Sequence, residues 1–342
     1  MKKRKICFLI AAVALVLVLM VGCSKPAPEA QKQEKIVFRY GMQFADPNLH
    51  PSGLTNLYFI EEFHKRISRD RVEFVLYPGG QIGMTTEQIL GGVLNRTAEL
   101  MDFNAGSYAA YTTALTPLEC PYLFLSDQQA HDLLDGEGGK LMKEQAIKDA
   151  GLRIIYFSEN GFRHLTNNRR PVTSPADMRG LKIRVMNNPV YIQLMETLGA
   201  LPAPMGFGEL YAALQQKVID GQDNPIVSIV ESKFYEIQGF MTLTRHTYGS
   251  STTVMSEEYY QSLPADIRQA IDECAILAQK KSREFNTQIE EESLKVLRAN
   301  LELTELTEAQ IKVFQDAARA MWPEVAKLSS QEYFDKIVSY IK

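Results

Sequence analysis

The residue whose type and position point most directly to ligand chemistry is Arg184, in the segment LKIRV at 181–185. Apolar and charged residues alternate there, which predicts a strand with Lys182 and Arg184 on the same face. An arginine at the carboxyl end of a strand in an open α/β sheet lies where such sheets bind ligands. Its planar guanidinium can form two hydrogen bonds to one carboxylate. On spacing alone, a surface arginine paired with a neighbouring acidic residue is the alternative.

The patterns of common catalytic sites are missing from the sequence. It contains no GxSxG, HExxH or GxxxxGK[ST] segment, so the corresponding hydrolase and phosphate-loop chemistries have no support. Runs of glutamate, such as residues 290–292, fall on predicted helices, where a solvated face is the ordinary explanation. The five histidines have no metal-ligand spacing, and Cys120 and Cys274 are predicted to be buried free thiols. The sequence therefore gives no support to an enzyme, and we predict neither a cofactor nor a metal site.

The first 35 residues carry features of export. Four positive charges at 2–5 precede an apolar run at 6–21, which is compatible with a membrane anchor or a secretory signal. The segment MVGC at 20–23 resembles a bacterial lipoprotein signal, in which a small residue precedes the cysteine that becomes the lipidated N-terminus. We therefore predict a signal peptide over residues 1–22, lipid attachment at Cys23 and a flexible tether over 23–35.

The charge of the chain bears on its partners. Removal of residues 1–22 takes away four positive charges and no negative ones, which moves the formal net charge from −4 to −8. An acidic mature protein is a poor partner for nucleic acid or for an anionic lipid surface. Net charge does not describe a single site, so a local cationic pocket for a small acid is compatible with it.

Strands and helices must position Arg184, and they alternate along the chain. Apolar patterns predict strands at 36–42, 72–77 and 152–157, and helices at 55–68, 85–95 and 127–150. This alternation indicates a parallel or mixed sheet with helical crossovers. A helix at 264–300 would be about 50 Å long, enough to cross two lobes. Residues 221–225, GQDNP, are interpreted as a turn.

Three segments resemble the DctP-type substrate-binding proteins of TRAP transporters. They are ENGFRHLTN at 159–167, DMRGLKIRV at 177–185 and LGALPAPMGFGELYAALQQKVIDGQDNP at 198–225. The likeness runs in order from about residue 36 to 327. It implies an α/β, two-lobe periplasmic-binding-protein-like fold (type II-like) with mixed sheets flanked by helices. The lobes are expected at residues 36–160 with 250–288 and at 161–249 with 289–342, and the long helix would span both.

The resemblance also implies roles for individual residues. Arg184 matches the arginine that clamps the ligand carboxylate, and Arg163 matches a second arginine of the same cleft. Four further positions match residues that contact the ligand by hydrogen bonds or packing: Asn187, Phe207, Asn224 and, most weakly, Gln43. An asparagine that satisfies its own turn, or a phenylalanine in ordinary core packing, is the structural alternative at these positions.

The function that follows is capture of a small organic acid outside the cytoplasm, in the periplasm or at the outer face of the cytoplasmic membrane. The expected partners are the ligand, ion-coupled permease subunits of a TRAP transporter and the membrane, through the lipid anchor. We expect a monomer. Presentation of ligand to a membrane sensor and an exported enzyme are the alternatives. A dicarboxylate, a sugar acid, a 2-oxo acid and an aromatic acid all remain open as ligands.

Overall fold

A computed structural model describes residues 34–83 and 86–342. The predicted signal peptide, Cys23 and nearly all of the tether lie outside these residues. Among the residues described, no helix has both the length and the apolar character that a membrane crossing requires. Cys120 and Cys274 are buried and free, as predicted.

The strands of the described chain run in the order β1 (Ile36–Met42), β2 (Val72–Tyr77), β3 (Leu100–Asn104), β4 (Leu152–Asn167), β5 (Lys182–Val185), β6 (Leu201–Pro204), β7 (Gly221–Pro225), β8 (Phe240–Thr242), β9 (Tyr248–Ser256) and β10 (Glu302–Thr304). Their spatial order is β2-β1-β3-β9-β4-β7-β5-β6, while β8 pairs with β4 and β10. Parallel pairs such as β1 with β2 and β5 with β6 are combined with antiparallel pairs of β3 and β4 with β9. The predicted mixed sheets are confirmed.

Strand β4 belongs to two sheets. Its first part pairs with β9 as far as Phe162, and its last part, from Arg163 to Asn167, pairs with β7. The register shifts between Glu159 and Gly161, where Gly161 has a φ of +78°, a conformation that glycine adopts without steric cost. The strand is ten residues longer than the predicted 152–157, because polar residues beyond Phe157 are buried between neighbouring strands and do not form a surface loop.

The helices of the described chain are α1 (Pro51–His64), α2 (Thr86–Leu94), α3 (Asp127–Asp135), α4 (Glu137–Ala150), α5 (Pro189–Thr197), α6 (Leu210–Gln215), α7 (Ile226–Glu231), α8 (Glu257–Ser262), α9 (Ala265–Asn300), α10 (Glu308–Arg319), α11 (Trp322–Ser329) and α12 (Gln331–Val338). The helix predicted at 127–150 is divided at Gly136, which has an extended backbone and separates α3 from α4. Thr307 accepts the N-cap hydrogen bond that begins α10, and with Gln310 it forms a capping box.

Helix α9 has 36 residues, or about 54 Å at 1.5 Å per residue. Near its N-terminus, Ile267 and Ile271 pack in a core with α1 and strands β1 to β3. Near its C-terminus, Leu297 packs in a separate core with α6, α7 and β8. The predicted long helix that joins both halves of the fold is therefore confirmed. Strand β4 and helix α9 also explain why residues 36–342 form one compact unit.

The segment at 221–225 is a buried strand, so its interpretation as a turn is wrong. Residues 221–225 pair antiparallel with β4, and Gly221 and Gln222 also pair parallel with β5. A Cβ atom on Gly221 would lie 2.1 Å from the carbonyl oxygen of Thr166, so glycine allows the close approach of the two strands. Pro225 donates no ladder hydrogen bond and lies at the strand end.

Candidate functional site

A cavity of about 220 Å³ lies where several strands end. Gln43 follows β1, Asn104 ends β3, and Asn187 follows β5. The carboxyl ends of strands are the part of an open α/β sheet where ligands bind. All six of the predicted ligand residues line this one cavity: Gln43, Arg163, Arg184, Asn187, Phe207 and Asn224.

Arg184 is held in the cavity wall with part of its guanidinium unpaired. Its side chain is only 2% exposed. Nε and Nη2 donate to the carbonyl oxygen of Met205 at 3.1 and 2.8 Å, while Nη1 is buried and has no hydrogen-bond partner among the described residues. Burial lowers the pKa of Arg184 to about 10, so the group is still charged at neutral pH. A buried cation with an uncommitted N–H group is suited to an anionic ligand.

Arg163 lies in the same wall, but its charge is paired. Nε donates to Oδ2 of Asp223 at 2.7 Å, and Nη2 donates to the Asp223 carbonyl oxygen at 2.5 Å. Both side chains are essentially inaccessible to solvent. Burial by itself would raise the pKa of Asp223, but Arg163 and His246 hold it below its ordinary value. The pair is therefore ionised in the folded protein.

Other buried polar side chains contact this ion pair. Nε2 of His246 lies 3.2 Å from Oδ2 of Asp223. The guanidinium of Arg163 lies 5.1 Å from the ring centroid of Tyr191, whose hydroxyl donates to Glu119 at 2.5 Å. Burial raises the pKa of Glu119 to about 7. The sequence interpretation missed Asp223 as the partner of Arg163, although the acidic residue in GQDNP was a usable signal.

The remaining predicted residues differ in their environment. Asn187 is exposed at the cavity rim, whereas the adjacent Asn188 caps α5 and donates to the Gly106 carbonyl oxygen at 2.8 Å. The side-chain amide of Asn224 donates to Gln222. The ring of Phe207 lines the cavity and packs edge-on against Phe44, at 6.0 Å between centroids.

Two buried acceptors in the lining have no partner in the described part of the chain. They are Oε1 of Gln43 and Oδ1 of Asn160. Gln43 was predicted as a contact, and Asn160 was not. The amide nitrogen of Asn160 donates to Ser251 at 2.9 Å, which directs the other side of the amide away from β9. His164, next to Arg163 in sequence, is buried and accepts from the backbone of Arg245.

The sequence of this chain matches the model of a known family. The match covers residues 43–328 and is to DctP, described as bacterial extracellular solute-binding protein, family 7. The chain belongs to this family. The predicted family relationship and the predicted fold class are both confirmed.

Individual relatives of this family-7 protein agree with the assignment. It is 31% identical over 251 residues to the 2,3-diketo-L-gulonate-binding periplasmic protein YiaO of Escherichia coli, covering 73% of this chain and 75% of the relative. It is 29% identical over 287 residues to the C4-dicarboxylate-binding periplasmic protein DctP of Rhodobacter capsulatus, covering 81% of each.

Among solved structures, the sugar acid binding protein DctPAm of Advenella mimigardefordensis, in complex with galactonate, superimposes with a TM-score of 0.84. The identity is 28%, and the match covers 90% of this chain and 98% of that one.

Proposed function

We propose that this family-7 protein is the extracytoplasmic binding subunit of a TRAP transporter, which captures a small organic acid and delivers it to an ion-coupled permease. Arg184 binds the ligand carboxylate. The observation that carries the proposal is the buried Nη1 of Arg184, which lacks a hydrogen-bond partner among the described residues of a small cavity. A buried donor of this kind is costly unless a ligand accepts from it. The relatives named above bind acids, which supports the same ligand class.

The other predicted ligand residues have graded roles in this proposal. Arg163, whose charge is paired with Asp223, contributes hydrogen-bond donors beside the carboxylate, as do the amides of Asn187 and Asn224. Phe207 packs on the carbon chain of the ligand. Binding involves no turnover, so the ligand should be recovered unchanged by nuclear magnetic resonance after prolonged incubation. A chemically altered ligand would instead indicate an enzyme.

The carboxylate clamp is tested with two substitutions of Arg184. Arg184→Met removes the charge, and Arg184→Lys keeps it but removes the planar fork. We expect Arg184→Met to weaken binding at least ~100-fold and Arg184→Lys at least ~10-fold, since a charge-assisted hydrogen bond contributes about 1.5–3 kcal/mol. Isothermal titration with the tightest acid from a thermal-shift screen measures both. The matched control is Arg169→Met, at an arginine whose side chain is 64% exposed. Wild-type affinity in both Arg184 variants rules out the clamp.

Location and attachment are part of the same proposal. The signal over residues 1–22 directs export, Cys23 carries the lipid, and residues 23–35 tether the binding unit to the membrane. Mass spectrometry of the wild-type protein from the membrane fraction should show an N-terminus at Cys23 that carries a lipid, and Cys23→Ser should abolish the lipid. An unmodified Cys23 in a chain that retains residues 1–22 would show that the apolar run itself is the anchor.

The ligand is proposed to bind between two lobes, residues 36–160 with 250–288 and residues 161–249 with 289–342. Contacts between these groups of residues surround the cavity, among them Asn188 to Gly106 and Phe44 to Phe207. A ligand that bridges the lobes favours their closed arrangement through its higher affinity for that state.

A further inference from the structure

We infer that the cavity selects an acid with a single carboxylate and several hydroxyl groups, in preference to a dicarboxylate. This inference rests on the proposed function, since it concerns the same cavity and assigns the carboxylate to Arg184. It goes further by assigning the rest of the ligand to the neutral polar side chains opposite.

The charged side chains of the cavity wall can neutralise only one ligand carboxylate. The lining contains two cationic side chains among the described residues, Arg163 and Arg184. Asp223 neutralises Arg163 through a buried ion pair at 2.7 Å, which leaves a single unpaired positive charge. The other charged lining residue, Glu209, is acidic and exposed. A second carboxylate would therefore lose its hydration without gaining a counter-ion, which is strongly unfavourable.

The neutral polar side chains of the lining include acceptors that need hydrogen-bond donors from the ligand. Oε1 of Gln43 and Oδ1 of Asn160 are buried acceptors with no partner within the described chain. A ligand hydroxyl can donate to an amide oxygen, whereas an ionised carboxylate has no proton to donate. If either amide were rotated, the group would remain neutral and could still accept from or donate to a hydroxyl. It could not replace a second cation.

The residues proposed to bind the carboxylate and those proposed to bind the hydroxyl groups lie on different strands. Arg184 lies on β5, while Asn160 lies on β4 where it pairs with β9, and Gln43 follows β1. The apolar side chains Phe44, Phe103 and Met205 complete the lining and offer contacts to C–H groups. A carbon chain with its carboxylate at Arg184 and its hydroxyls toward Gln43 and Asn160 satisfies each of these groups.

Ligands of matched length test the inference by isothermal titration of the full mature chain. The four-carbon set is D-erythronate, succinate, butyrate and erythritol. The six-carbon set is galactonate, adipate, hexanoate and galactitol. We expect the hydroxylated monocarboxylate of at least one set to bind at least ~100-fold more tightly than each of its three partners, since sites built around ligand hydroxyls reject analogues that lack them.

The outcomes separate the inference from the proposed function. Succinate or adipate that binds as tightly as its hydroxylated partner overturns the inference and leaves the acid-binding function intact. Neutral polyols that match the acids, or the absence of binding by every acid in both sets, overturn both.

Substitutions in the wall provide a second measurement. Gln43→Met and Asn160→Ala should each weaken binding of the hydroxylated acid at least ~10-fold, since each removes one hydrogen bond, without weakening the unsubstituted monocarboxylate of the same length. Gln128→Met, at an exposed glutamine of α3, is the matched control. Equal losses for both ligands would show that these amides do not recognise hydroxyl groups, and would overturn the inference.

Asp223→Asn tests whether the number of unpaired cations sets the preference for one carboxylate. This substitution removes the partner of Arg163 and creates a second unpaired cation. The affinity for the dicarboxylate, relative to that for the hydroxylated monocarboxylate of the same length, should therefore rise at least ~10-fold. An unchanged ratio in a folded Asp223→Asn protein contradicts the argument. If this variant does not fold, the Gln43→Met and Asn160→Ala measurements still decide the matter.

Discussion

Arg163 and Arg184 show how strongly the environment of a residue sets its role. Both are nearly inaccessible to solvent, and both line the same cavity. Arg163 is neutralised by Asp223, whereas Nη1 of Arg184 has no partner in the part of the chain that the structure describes. Removal of one partner from a buried ion pair is costly, so Asp223 stabilises Arg163 in place, whereas Arg184 is the arginine that we propose binds an external anion.

Buried carboxyl groups should make the protein less stable as the pH rises. Burial raises the pKa of Glu119 to about 7, that of Glu290 to about 7 and that of Asp102 to about 6. A carboxyl group with a raised pKa in the folded state binds more protons there than in the unfolded chain. The free energy of unfolding therefore falls between the unfolded pKa, near 4, and the folded pKa, near 7.

Glu119→Gln tests this effect at one residue. In the wild-type protein, ionisation of Glu119 should lower the free energy of unfolding by about 2–3 kcal/mol between pH 5 and pH 8. The glutamine variant should not show this part of the decrease with pH. Urea unfolding at a series of pH values measures it. Glu308→Gln, at an exposed position, should retain the wild-type slope. A wild-type slope in the Glu119→Gln protein would contradict the assignment.

At the scale of elements, the site depends on the pairing of β4 with β7. This pairing places Asp223 beside Arg163, and it requires Gly221 because a Cβ there would lie 2.1 Å from a backbone oxygen and 2.9 Å from the Cα of Asn167. Backbone atoms cannot move aside as the end of a flexible side chain can. The strands must separate to accommodate any larger residue.

Gly221→Ala should therefore destabilise the protein by about 1–3 kcal/mol or more, the usual cost of overpacking, and it should weaken ligand binding as well. Gly239→Ala is the matched control, because its nearest atom would be a side-chain oxygen at 3.7 Å. Urea unfolding and titration with the acid ligand provide the two measurements. If Gly221→Ala is as stable as Gly239→Ala, the close approach of the strands is not required.

At the scale of the whole molecule, α9 couples two hydrophobic cores. Ile271 lies in the core near the N-terminus of the helix and Leu297 in the core near its C-terminus, and both are buried. The two cores should unfold together, because separate unfolding would leave half of α9 without its packing. A shared helix thus predicts a single cooperative transition.

Ile271→Ala and Leu297→Ala should each lower the free energy of unfolding by about 2–5 kcal/mol and keep one transition. The single tryptophan, Trp322, reports on a third hydrophobic core, to which α11 contributes Val325 and Ala326, and circular dichroism reports on the helices of all three cores. The two signals should give coincident curves in both variants. Separate transitions in either variant would show that the cores unfold independently.

The same helix should bend when the proposed lobes close around a ligand. Spin labels at Gln269→Cys and Ala299→Cys, both exposed positions of α9, should come closer on addition of the acid ligand in an electron–electron distance measurement. Labels at Gln269→Cys and Lys280→Cys, within the first half of the helix, are the control and should keep their distance. An unchanged long distance together with a lobe rotation seen by small-angle scattering would exclude bending.

Local patterns in the sequence were sufficient to predict the strands and helices whose apolar residues recur with a regular period. Strands β1 and β2 have the predicted bounds, and α9 begins within one residue of its predicted start. Alternation of side chains and helical spacing arise within a few residues of the chain, so they can be recognised without its partners. The arginine-containing segment and its neighbours also identified the family, which the comparison with family 7 confirms.

Only the tertiary structure decided which charges are paired. Arg163 and Asp223 are 60 residues apart, and residues 221–225 form a strand because β4 and β5 bury them on both sides. The late part of β4 is extended for the same reason. Desolvation and ion pairing depend on atoms that are distant in sequence. The sequence by itself therefore established that two arginines are present, and the fold determined that Asp223 pairs with Arg163 and not with Arg184.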